Sequence, residues 1–69
     1  MSPETRTVKQ WRHHAQALRA NARAYEVVAK MGAVENPLYA QHKALELRAR
    51  MLCIAIHIEG LEDAKIITI

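Results

Sequence analysis

Between Leu38 and Leu61 the apolar residues fall into two interleaved series, and this pattern constrains the fold more than any other feature of the chain. One series is Leu38, Leu45, Ala49, Leu52 and Ile56, with His42 filling one of its positions; the other is Ala40, Ala44, Leu47, Met51, Ile54, Ile58 and Leu61. Each recurs every three or four residues, the spacing of a helix face. At 3.6 residues per turn the two faces lie about 200° apart. A helix apolar on opposite sides must be covered on both. The rest of a 69-residue chain can supply one cover, and a second copy is the economical source of the other.

The first cover is legible in residues 1–31. Val8, Trp11, Ala15, Leu18, Ala22, Tyr25 and Ala29 alternate by three and four residues, which keeps one narrow seam toward a partner helix. Ala17, Ala20, Ala24, Val27 and Met31 form a weaker stripe elsewhere on the same rod. Ser2-Pro3-Glu4 reads as a helix start, with a capping hydroxyl, proline at the first helical position and a carboxylate against the positive end of the dipole. Lys30-Met31-Gly32 reads as the stop, and Asn36-Pro37 as a second start. Helix 1 is therefore predicted over 3–31, a turn over 32–36, helix 2 over 37–59 and a tail over 60–69, all in one domain. So short a turn forces an antiparallel αα-hairpin.

The run Met51 to Ile58 is rich in β-branched residues and a strand is conceivable there. Helix is preferred, because Gln41 to Arg50 are good helix formers that lead into it without a breaker and Gly60 supplies a stop. Ile66 to Ile69 read as a short extended arm. The expected fold class is all-α: a helical hairpin forming a homodimeric helical bundle, with Leu47, Met51, Leu52, Ile54 and Ile58 at the dimer interface. A chain this short rarely stabilises itself by its own core alone. One cysteine, Cys53, cannot close an internal disulfide and reads as a buried small hydrophobe, and the four histidines and single thiol suggest no zinc cage.

Composition argues against most chemistry. The only serine is Ser2, and Gly32 and Gly60 are accounted for as helix stops, so neither a triad nucleophile nor a phosphate-cradling loop is in view. His13 and His14 are adjacent and point about 100° apart on a helix. His42 and Glu46 share a face, but two ligands do not make a metal site, and His57 reads as a core or interface histidine. No enzyme activity, metal or cofactor is expected. The opening residues lack the layout of a signal peptide and no apolar run approaches the ~20 residues of a membrane span, so a cytosolic protein without membrane insertion is expected.

Two binding surfaces remain. The turn and the first residues of helix 2 place Glu35, Asn36, Leu38, Tyr39 and His42 together, and Tyr39 belongs to neither apolar series, as suits a binding anchor. Its bland alternative is a tyrosine covering the end of helix 1. The net charge of +3 is unevenly spread: residues 1–31 carry six basic and two acidic side chains, residues 32–69 four basic and five acidic. Arg12 and Arg19, one heptad apart, make a small basic dimer that binds RNA or DNA the alternative reading.

The 69-residue length, the opening SPETRTVKQWRHH and the turn GAVENPLYAQHK, together with the hairpin architecture, resemble the quorum-sensing anti-activators of Mu-like Pseudomonas phages over the whole chain. The resemblance implies a phage-encoded protein in the host cytoplasm that binds the DNA-binding domain of a LuxR-type transcriptional regulator and prevents promoter binding. It further implies a second target, the type IV pilus assembly ATPase, whose inhibition stops twitching and excludes other phages. A net basic chain does not imitate DNA, so such a blocker would cover the recognition helix by shape and hydrogen bonding, aided by Glu35 and Glu46.

Overall fold

The structure, a computed structural model, describes residues 3–32 and 35–69. It contains four elements: β1 (Thr5–Thr7), α1 (Val8–Met31), α2 (Pro37–Ile58) and β2 (Ile66–Thr68). The helices pack antiparallel. Glu26, late in α1, meets Arg48, whereas Arg12, early in α1, reaches the backbone of Leu61 beyond the end of α2. The molecule is a rod of 42 × 21 × 14 Å.

The predicted seam of α1 is the buried one. Val8, Trp11, Leu18, Ala22 and Ala29 are buried, with Ala15 and Tyr25 packed at the margin. They meet the second series of α2, of which Ala40, Ala44, Leu47, Ile54 and Ile58 are buried and Met51 is partly so. Small residues at Ala22, Ala40 and Ala44 leave room for the two backbones to approach.

The chain turns where expected. Gly32 sits at φ 67°, the left-handed conformation that a residue without Cβ adopts freely, and its N–H returns to the last turn of α1. The Asn36 side-chain oxygen accepts from the Tyr39 N–H, and Pro37 opens α2. Residues 51–58 are helical throughout, and Gly60, at φ 75°, follows the end of α2.

The N-terminal end departs from expectation. Helix 1 begins at Val8, not at residue 3, and Ser2, its predicted cap, lies outside the described residues. The cap is Thr7: its hydroxyl accepts from the Gln10 N–H at 3.2 Å while the Gln10 side chain accepts from the Thr7 N–H at 3.0 Å, a reciprocal capping box. Residues 5–7 form a strand because the tail offers them a partner. β1 and β2 pair antiparallel, with Thr5 opposite Thr68, Arg6 opposite Ile67 and Thr7 opposite Ile66. The expected extended arm is thus a strand within a two-stranded ribbon, and the fold is a helical hairpin with a small sheet at one end.

The tail also completes α1. The first amides of a helix have no partner within it. Here the Val8 N–H donates to the Lys65 carbonyl at 2.8 Å and the Lys9 N–H to the Asp63 carbonyl at 3.1 Å. Arg12 forms an ion pair with Asp63 and donates to the Leu61 carbonyl at 3.1 Å, and the Trp11 indole N–H donates to the Ile67 carbonyl at 3.2 Å. Four side chains and amides of the first helical turn therefore hold residues 61–67 in place.

Candidate partner-binding surfaces

The tip is built by the second helix start. The bond from the Tyr39 N–H to Asn36 fixes the backbone at 36–39, so the side chains of the first turn of α2 project from a rigid base. Glu35, Asn36, Leu38, Tyr39 and His42 are all exposed, and the two with most apolar surface stand well clear of the protein: Leu38 is 75% exposed and Tyr39 58%. Val34, which the sequence also places at the tip, lies outside the described residues.

A second surface is the outer side of α2. Leu38, Leu45, Leu52 and Ile56 are 55–75% exposed and repeat at helical spacing, so the first of the two apolar series is open to solvent along its length. This changes which residues are available to a second copy. Leu47, Ile54 and Ile58 pack against α1 within the chain, and Met51 is largely covered; of the five residues expected at a dimer interface only Leu52 is exposed. Periodicity separated the two apolar series but could not say which of them α1 would occupy. The smaller residues Ala40 and Ala44 decide it, since they permit the close approach that Leu38 and Leu45 would block.

Elsewhere several polar side chains make contacts within their own helix. Cys53 is exposed, not buried, and so is His57, whose Nδ1 lies 2.7 Å from the Cys53 carbonyl, a distance at which the ring N–H donates. Glu46 lies 3.8 Å from Lys43, one turn before it. His14 stacks edge-on against Trp11 at 6.0 Å, and partial burial, followed by the charges of Arg6 and Arg50, lowers its pKa from the ordinary value. Among the described residues no three His, Cys, Asp or Glu side chains gather as a metal site, and no helix is long and apolar enough to cross a membrane.

One feature was not visible in the sequence. Arg19 and Arg23 of α1 and Arg48 of α2 line a single cleft of about 470 Å³ together with Glu26, Met51 and Leu52. The spacing of Arg12 and Arg19 pointed to this flank of α1, but the contribution of Arg48 depends on the register between the helices. Compared with protein-family profiles, curated proteins and solved structures, the chain matches none.

Proposed function

We propose that this chain is a protein-binding inhibitor that works as a dimer and grips its target with the hairpin tip. The observation that carries the reading is the Leu38–Tyr39 pair: two large side chains held out from a capped helix start, with neither serving the core. Aromatic anchors of this kind dominate binding energy at interfaces, because a rigid ring buries much area at little entropic cost. Glu35, Asn36 and His42 surround them with hydrogen-bonding groups.

The target class comes from the sequence resemblance: the DNA-binding domain of a LuxR-type quorum-sensing regulator, whose access to DNA the tip would block, with the type IV pilus assembly ATPase as a second host target. Both place the protein in the cytoplasm of an infected cell. In this reading Leu45, Leu52 and Ile56 of the outer stripe of α2 join two copies, Leu38 stays with the tip, and each dimer carries two tips.

The test is a binding assay between the purified chain and the isolated DNA-binding domain, read as loss of the domain's promoter complex. Tyr39→Ala should leave the helical content intact and weaken inhibition about tenfold or more, since truncating an interface anchor costs ~2 kcal/mol or above. Full inhibition by Tyr39→Ala would overturn the tip as the gripping surface.

A further inference from the structure

We infer that the cleft between Arg19, Arg23 and Arg48 is a phosphate-backbone site for duplex nucleic acid. Arg19 and Arg23 are one helical turn apart on the same flank of α1, about 6 Å along the axis. Both are exposed, and neither is paired with a carboxylate among the described residues. Arg48 reaches the cleft from α2, with its Nη2 held 2.7 Å from the Glu26 carboxylate. Three guanidiniums thus line a space that contains one carboxylate, and that carboxylate orients one of them. Like charges a turn apart oppose helix stability. An anion shared between them relieves that cost.

Several features select the ligand. A guanidinium presents two parallel N–H donors that match the two free oxygens of a phosphodiester. The cationic row continues past the cleft to Lys30 on the same flank, so the surface from Arg19 onward is a track of roughly 16 Å and suits a polymer of anions better than a single one. Met51 and Leu52 give the cleft an apolar wall. No aromatic side chain lines it; Trp11 is buried in the core and Tyr25 packs against it. Without a stacking platform the site takes the backbone of a duplex in preference to the bases of a single strand, and it reads no sequence.

The cleft shares Leu52 with the stripe proposed to join two copies but shares no residue with the tip, so it fails independently of the gripping surface. The experiment titrates the full chain into a fluorescein-labelled mixed-sequence DNA duplex, and into one of its strands alone, by anisotropy at about 50 and about 200 mM salt. Three phosphate contacts predict a fall of log affinity with log salt of about 2.7, from ~0.9 per contact on a duplex. Arg19→Ala/Arg23→Ala should bring the slope to about 1 and weaken binding at least tenfold at the lower salt, with helical content unchanged because both residues are exposed. Arg50→Ala, on the opposite flank, and Tyr39→Ala should keep the wild-type slope to within one contact. The site is overturned by no duplex binding at about 50 mM salt, by equal binding of the Arg19/Arg23 variant, by an equal loss on Arg50→Ala, or by a single strand bound more tightly than the duplex.

Discussion

Thr7 ends a strand and begins a helix, and its hydroxyl is what separates the two. With its side chain on the Gln10 N–H and the Gln10 side chain on its own N–H, the chain can leave the ribbon without stranding donors. Thr7→Ala should therefore lower stability by about 1 kcal/mol, measurable as a lower urea midpoint at unchanged m-value. The motif was present in the sequence as Thr7-Val8-Lys9-Gln10, just before the apolar seam. Ser2-Pro3-Glu4 carries start signals of its own a few residues earlier. Local propensity could not choose between two starts five residues apart. What decided was Ile66 to Thr68, a strand with no other partner, which recruits residues 5–7 out of the helix. Gly32, the stop signal, follows the last residue of α1, and Asn36-Pro37, the second start signal, opens α2.

At the scale of elements, β2 and the turn before it act as a cap on α1 supplied from the other end of the chain. Glu4 and Ile69 exchange both backbone bonds, at 3.1 and 3.0 Å, so the alternation of an antiparallel ladder makes Arg6 and Ile67 the next such pair. Ile67→Pro removes a ladder donor from the middle of this ribbon. The expected loss is about 1–3 kcal/mol. Amide exchange locates it: Val8 and Lys9, which donate to Lys65 and Asp63, should lose protection, while Ala44 and Leu47 in α2 keep theirs. Equal acceleration at all four would mean that the ribbon is coupled to the whole fold and does not cap α1 in particular. This long-range closure was illegible in the sequence, because three-residue strands carry almost no periodic signal and their pairing spans the entire chain.

For the whole molecule the decisive feature is an imbalance between the two sides of α2. One side is sealed by α1; the other leaves Leu38, Leu45, Leu52 and Ile56 in water. Apolar residues scattered singly on a surface need no explanation, but a stripe at helical spacing marks an interaction face. Sedimentation at micromolar concentration should give about twice the 7.8 kDa chain mass. Leu45→Asp/Leu52→Asp should return it to one chain mass without loss of helix, because neither residue belongs to the intrachain core. Leu47→Asp should instead unfold the chain, since it buries a charge against α1. A wild-type chain that sediments as a monomer would refute the second copy as the cover for this stripe. The two-sided character of helix 2 was plain from the sequence, and the assignment of its sides was not.

The bond between Glu4 and Ile69 has a practical consequence for anyone who handles the molecule. Residues 4 and 69 lie side by side near His14 and Arg50, on the half of the rod away from the turn that presents Tyr39. A fluorophore, an affinity tag or a surface attachment added before Glu4 or after Ile69 is therefore anchored on the half of the rod away from the tip. A short linker joining the two positions would make a ring, and the chain could then be reopened in the 32–36 turn. That permuted form would keep both helices and the ribbon but divide Gly32 from Asn36, so it would separate the stability of the hairpin from the shape of its tip.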